Sequence, residues 1–361
     1  LEHLKKLKAG IIGCGGIAKQ KHMPSIKKTN LADMVSFCDI IKERAAEAAK
    51  EYGASGAKIY TDYKELLKDP SIDMVYVLTP NKSHSSITID ALEADKHVMC
   101  EKPMAKTSTE ARAMIEAGKR TGKLLTIAYQ NRFKPEAMYI KKCAERGDFG
   151  DIYFAKAHAL RRRAVPTWGV FLNEEEQGGG PLIDIGTHAL DLTLWFMDKY
   201  KPKSVMGNVY HKLNANGNCG NAFGEWNPKE FTVEDSAFGF ITMQDGSTIV
   251  LESSWALNTL NFGEAKATIC GTKGGADMWD GVRINGDDFG KLYEKKPALG
   301  AAGVDFFAGD EKEHSLLEQL CFMEAITKGT PLKVLPEQAC VVTEILEAIY
   351  ESAKTGKLIT F

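Results

Sequence analysis

None of the eight cysteines stands in a C-x-x-C pair. Their scattered, single positions argue against a zinc ribbon or a disulfide framework and fit reduced thiols in a reducing compartment. No His, Cys and Glu cluster has metal-ligand spacing, so no metal is expected. No stretch reaches the roughly 18 uninterrupted apolar residues that a bilayer span requires, so no membrane partner is expected, and neither internal repeats nor low-complexity tracts occur. An excess of one charge is missing too: 46 Lys and Arg face 48 Asp and Glu, for a formal net charge of -2. That balance gives no field favouring nucleic acid or an anionic membrane, and leaves small neutral or modestly charged ligands open. At the amino terminus, LEHLKKLKAGIIGCGG sets lysines before apolar residues, yet glycines and then Lys19 break the run before a signal-peptide core is complete. The expected location is cytoplasmic.

At 361 residues the chain exceeds the usual single-domain size, and two domains are expected, over residues 1–130 and 131–361. From residue 8 to about 130, short apolar runs (AGIIG, MVSFCDI, DMVYVLT, HVMCEKP, KLLTIAY) alternate with helical stretches such as KERAAEAAKEY and TSTEARAMIEAGKRT. Strands alternating with helices imply βαβ units, so the first domain is predicted to be a doubly wound α/β fold around a parallel sheet. Beyond 130 the strand-like runs DIYFAKAHALRRR, KSVMGNVYHKL, VEDSAFGFITM, STIVLESSWAL and EAKATICGT crowd together with DG and KGG turns. They predict an open, largely antiparallel sheet in a second α/β domain. An amphipathic helix is predicted over about 181–197, and two more close the chain, each ending at a glycine. Residues 214–230 form a long Gly/Asn-rich loop of a kind that is often functional.

Gly13-Cys14-Gly15-Gly16-Ile17-Ala18 fits G-x-G-x-x-G/A between a strand and a helix. There the first glycine makes the turn, the second admits a pyrophosphate, the third small residue lets helix and strand pack, and the helix amino terminus faces the phosphates. Asp39 follows about twenty residues later, where a carboxylate accepts hydrogen bonds from ribose hydroxyls. It would repel a 2′-phosphate, which favours NAD over NADP. Lys42 and Arg44 lie near enough to hold such a phosphate instead, or form a solvated helix face.

In an open parallel sheet, ligands bind beyond the carboxyl ends of the strands. Thr79-Pro80-Asn81 and Glu101-Lys102-Pro103 fall at such ends and are expected to flank the nicotinamide. Pro103 disfavours helical geometry at Lys102 and should aim its side chain over the sheet edge; the plainer reading is a lysine snorkelling at the rim. His84 and His22 lie near the cofactor loops and could equally pack locally.

GCGGIA, FCDI, TPNKSH, CEKPMA and GGGPLIDIGTHALDL, in that order along the chain, resemble the Gfo/Idh/MocA oxidoreductases. The resemblance implies a Rossmann domain with a carboxyl-terminal α/β domain, action on sugars, inositols or related polyols with NAD or NADP, and a homodimer or homotetramer formed through the open sheet. It places the catalytic lysine at Lys102, the aspartate and histidine of the second motif at Asp184 and His188, and nicotinamide-side contacts at Gln130 and Arg132.

From the residues themselves, Gly178 to Gly180 precede Pro181, a good first helical residue. Asp184, His188 and Asp191 follow at spacings that share one helix face, which suits a general base on a rigid element or a histidine satisfied by its i−4 carboxylate. Removing a hydride from a carbinol also requires loss of the hydroxyl proton. His188 is the expected base and Lys102 the donor to the developing alkoxide, with proton shuttling by a depressed Lys102 as the competing role. Asp184 orients His188 or holds a neighbouring hydroxyl. Arg161, Arg162, Arg163 and Trp168 form a candidate substrate wall, an arginine gripping hydroxyls or a carboxylate and Trp168 stacking on a sugar face. A redox-neutral NAD-dependent glycosidase or epimerase-like enzyme and a silent NAD-binding regulator are the alternative functions.

Overall fold

The computed structural model describes residues 6–299 and 313–361; the first five residues of the amino-terminal stretch read above lie outside that set. The chain forms two compact units, one holding residues to Phe133 together with the segment ending at Cys340, the other running from Lys134 and resuming at Val341.

In the first unit, β1 (Leu7–Ile12), β2 (Ala32–Cys38), β3 (Lys58–Tyr60), β4 (Met74–Val77), β5 (His97–Cys100) and β6 (Leu125–Ile127) form a parallel sheet in the order β3-β2-β1-β4-β5-β6. This is the doubly wound order, with its switch point between β1 and β4. The central strands are closed off on both faces: Ile11, Met74, Tyr76 and Cys100 have no exposed surface, which is why they read as continuous apolar runs rather than alternating ones. The short edge strand β3, by contrast, carries exposed Lys58 and Ile59.

One element of this core comes from far along the chain. The helix Glu313–Lys328 sends Phe322 and Met323 into the cluster built by Ile11, Met23, Phe37, Tyr76 and Met99, and the Phe322 ring meets Tyr76 edge-on at 6.0 Å. The first unit is therefore discontinuous in sequence, where the sequence reading assigned everything after 130 to the second domain.

The second unit is built on β7 (Ile152–Leu160), β8 (Pro202–Tyr210), β9 (Ser236–Met243), β10 (Thr248–Ser254), β11 (Gly263–Gly271), β12 (Gly274–Asp277), β13 (Arg283–Asp288), β14 (Lys291–Lys295) and β15 (Ile359–Thr360). Among the described residues their order is β14-β13-β12-β11-β7-β10-β9-β8-β15. The pairings are antiparallel except β7 with β10. Paired Gly207 and Gly239 let Ile349 of the closing helix approach the sheet, since a Cβ on either would stand under 3.0 Å from that side chain. The helix Thr187–Met197 is buried on every side except at His188. The amphipathic helix expected there is thus a core helix, enclosed on nearly every side and carrying Asp191 and Thr193 into the interior.

If Phe322 belongs to the first unit's core, Phe322→Ala should cost about 3–5 kcal/mol, read as a lowered urea midpoint. A midpoint equal to that of the unaltered chain would refute this placement.

Candidate active site

Gly13 ends β1 with φ +92°, and a Cβ there would stand 2.5 Å from the Leu78 carbonyl oxygen. Only glycine fits that turn. Gly15 and Gly16 face open space, and Ile17 is exposed, so the start of the following helical run offers unobstructed backbone for a pyrophosphate. At the end of β2, Asp39 accepts the Cys14 amide at 2.9 Å on Oδ2 and the Ile41 amide at 2.9 Å on Oδ1. Each oxygen retains a lone pair for a ribose hydroxyl. The donors and the carboxylate therefore suit a dinucleotide. Lys42 and Arg44 are exposed on the next helix, as a solvated face would be.

The helical run opens as a π-turn, Ala18–His22, and π-turns cluster at functional sites. This one directs Lys21 and His22 inward. Lys21 Nζ lies 3.0 Å from Glu101 Oε1 and 3.1 Å from Glu318 Oε2, and donates to Gln130 Oε1 at 3.1 Å. His22 Nε2 lies 2.8 Å from the same Glu101 oxygen, while its Nδ1 is 3.3 Å from Gln319 Nε2. The other oxygen of Glu101 accepts the Lys102 amide at 2.9 Å. Glu101 thereby ties the lysine-bearing loop to the fingerprint helix.

The charges in this closed space follow from who is paired. Burial pushes the Glu101 carboxyl up, but the Lys21 charge and the His22 hydrogen bond outweigh it and hold it well below the usual range. Burial opposes the charge on Lys21 as well, and its two carboxylates outweigh that and raise it. Burial, then the Lys21 charge, pushes His22 down to about 4, so it is neutral. Glu318, the second carboxylate on a single lysine, is raised by burial to about 7.

His84 has no exposed surface and sets Nδ1 2.8 Å from the Pro103 carbonyl and Nε2 2.8 Å from the Thr79 carbonyl. It is wedged between the two strand-end loops; burial lowers its pKa and favours the neutral ring, which donates to one of these two carbonyls. With no exposed surface it is packed locally, a correction to its reading as a cofactor contact. Thr79 accepts the Ser83 hydroxyl at 2.8 Å, ahead of the short turn Asn81–Ser83. The chain bends at Lys102, which is half-buried, and the Lys102–Pro103 peptide is cis. Arg132 is corrected too. It is fully buried, and its Nη1 donates to the Lys333 carbonyl at 3.0 Å and to Gln338 Oε1 at 2.6 Å, so it braces the first unit, where the sequence suggested a contact to the nicotinamide side or the substrate.

In the second unit, a π-turn, Leu182–Gly186, leads into the helix Thr187–Met197. Its amino terminus is capped by Glu234, which accepts the Gly180 amide at 2.8 Å, the Leu182 amide at 3.1 Å and the Tyr350 hydroxyl at 2.9 Å. Burial raises the Glu234 carboxyl to about 7 despite those donors. Asp184 and His188 are half-buried, whereas Asp191 is wholly buried and leaves the polar stripe. The indole of Trp255 donates to Asp184 Oδ2 at 3.0 Å and fixes that carboxylate. Trp168 is 52% exposed. Arg161, read as a substrate contact, is engaged internally: Nε and Nη2 grip Glu264 at 2.5 and 2.9 Å, and Nη1 donates to the Ala164 carbonyl at 3.0 Å.

Lys21, Glu318, Glu234, Tyr350 and Trp255 escaped the sequence reading. Lys21 carried one signal, its place directly before His22 in the helix that the fingerprint opens; the other four are single residues in ordinary strand or helix text.

Comparison with known proteins matches two successive segments of the chain. Residues 7–129 match the oxidoreductase family with an NAD-binding Rossmann fold, and residues 137–277 match the GFO/IDH/MocA C-terminal domain. The chain is 36% identical over 351 residues to D-glucoside 3-dehydrogenase of Escherichia coli, covering 97% of this chain and 96% of that protein. Inositol 2-dehydrogenase of Salmonella paratyphi B is 29% identical over 202 residues, 55% of this chain and 57% of that protein. The crystal structure of aldose-aldose oxidoreductase from Caulobacter crescentus, complexed with glycerol, superposes with a TM-score of 0.80 at 24% identity, over 99% of this chain and 100% of that one.

The raised Glu234 carboxyl makes a pH prediction. Its folded value, about 7, stands above the ordinary 4.5, so the native state holds a proton that the unfolded chain releases, and stability falls as pH rises between those values. Glu234→Gln should therefore lose less stability than the unaltered chain between pH 5 and 7.5 in urea unfolding; an equal loss in both would contradict the assignment.

Proposed function

The chain belongs to the Gfo/Idh/MocA family of NAD-binding oxidoreductases, and on that premise we propose that it moves a hydride between a secondary hydroxyl of a sugar, inositol or related polyol and the nicotinamide of NAD. The observation that carries this reading is the attachment of Lys102, through Glu101, to the fingerprint helix by Lys21 and His22. It places a cation at the carboxyl end of β5, on the edge of a parallel sheet where ligands of such folds bind.

NAD, when bound, supplies the hydride acceptor. Asp39 takes the ribose hydroxyls, and its charge disfavours a 2′-phosphate. His188 accepts the hydroxyl proton of the substrate, a task suited to an imidazole near neutral pH. Lys102 donates to a substrate hydroxyl oxygen and stabilises alkoxide charge as it develops. Asp184, fixed by Trp255, orients His188 or holds a neighbouring substrate hydroxyl.

The oligomer belongs to the same proposal. On the face of the large sheet opposite the closing helix, Lys156, Val250, Phe240 and Met206 form one row across β7, β10, β9 and β8. Phe240 is 52% and Met206 44% exposed. A second copy of the chain covers this row in a homodimer or homotetramer. Eight free cysteines fit the cytoplasm. Among the described residues no helix is long and apolar enough to cross a membrane.

The test is a panel of sugars, glycosides and inositols with NAD and with NADP, followed by absorbance of the reduced nicotinamide. Accumulation with NAD supports a net dehydrogenase; product formed without accumulation would replace this reading by the redox-neutral one. His188→Ala should lower kcat by roughly a hundred- to ten-thousandfold while the NAD dissociation constant, measured by titration, stays near its original value. Unaltered kcat would remove His188 from the base role.

A further inference from the structure

Two aromatic side chains in the second unit are held rigidly with much of their surface in water. Trp168 is 52% and Phe223 44% exposed, and their rings meet edge to face at 4.8 Å. The loop that carries Phe223 is stitched to the segment that carries Trp168. Asn221 accepts the Val165 amide at 2.8 Å and donates to the Val165 carbonyl at 3.0 Å, the Ala222 amide donates to the Arg163 carbonyl at 3.1 Å, and the Thr167 hydroxyl donates to the Phe223 carbonyl at 2.5 Å. Ordering a loop costs entropy, and leaving aromatic faces wet forgoes the burial that usually offsets it. A preorganised, exposed aromatic pair is the signature of a binding surface.

A second observation lies on the same segment. Arg163 donates through Nη2 to Asn258 at 2.7 Å, whereas its Nη1 is shut off from solvent with no hydrogen-bond partner among the described residues. A desolvated, unsatisfied donor is costly, and a small turn of this half-exposed guanidinium offers the N–H to a ligand oxygen. Arg161, by contrast, is taken up by Glu264. The corner is also linked to the catalytic helix: Trp168 packs on Phe171 at 5.8 Å, Phe171 on Trp255 at 6.5 Å, and Trp255 holds Asp184.

We propose that Trp168, Phe223 and Arg163 form a subsite for the group beyond the glycosidic oxygen, so that the substrate is a glycoside and not a free sugar or inositol. The inference rests on the dehydrogenase reading above and deepens it. One of the two perpendicular rings stacks on a ring aglycone while the other meets it edge to face, and Arg163 donates to an oxygen at or near the glycosidic bond.

Phenyl glucoside and free glucose, compared by initial rates of NAD reduction, test this. The unaltered enzyme should show the higher kcat/KM for phenyl glucoside. Trp168→Ala and Phe223→Ala should each raise its KM about tenfold, equivalent to ~1.4 kcal/mol of binding, and Arg163→Met should raise it likewise, each more than for glucose. Phe223→Leu keeps the bulk and removes the ring, and serves if the alanine variant fails to fold; retained NAD binding certifies each preparation. A preference for glucose, or equal factors on both substrates, overturns the subsite and leaves the dehydrogenase reading standing. No reduction with either compound or with any member of the sugar panel overturns both.

Discussion

Glu101 is a carboxylate closed away from water, directly before the lysine at the end of β5. A buried charge of that kind persists only where cations and donors are supplied, and the chain supplies them from two places: Lys21 and His22 of the fingerprint helix on one oxygen, the Lys102 amide of its own loop on the other. The constraint runs both ways. The fingerprint helix passes through a π-turn at Ala18–His22 that carries Lys21 and His22 inward, and the strand-end loop follows Glu101. His84 then packs between that loop and the neighbouring one, with a backbone carbonyl of each beside a ring nitrogen. Glu318 completes the cluster as the carboxyl that yields, raised to about 7 by burial and, less, by the Glu101 charge, against the pull of Lys21.

The second unit solves a similar problem with other residues. Its motif helix also opens through a π-turn, and a buried carboxylate, Glu234, again organises the entrance by gathering the Gly180 and Leu182 amides and the Tyr350 hydroxyl. Trp255 then fixes Asp184. In both units the residues read as chemical are thus oriented by buried polar partners, which is how a site keeps its geometry without relying on surface loops.

The dinucleotide turn, Asp39, the strand-end loops and the GGGP helix were legible because each couples a local backbone demand to a residue type at fixed spacing. What stayed hidden depended on distance along the chain or on burial. Phe322 joins the first core from about two hundred residues beyond the last strand of that sheet, and no periodicity announces it. Strands β3 and β14 are short or charged edge strands, and β13, paired between β14 and β12, is polar and largely unburied, so they lack the apolar signal of the centre. The spacing of Asp184, His188 and Asp191 suggested a polar stripe, but the helix is enclosed and Asp191 is buried. Arg132, Arg161 and His84 carry the chemistry of ligand contacts, yet each is engaged by internal acceptors, which only the packed structure reveals.

The dependence of Lys102 on Glu101 is the centre of this account, and Glu101→Gln probes it with little change of shape. Turnover is measured at saturating sugar and NAD, beside the NAD dissociation constant of the same preparation. Displacement of a reacting group by about 1 Å costs on the order of a hundredfold, so kcat should fall by about that factor while NAD affinity changes little. A kcat equal to that of the unaltered enzyme would contradict the account.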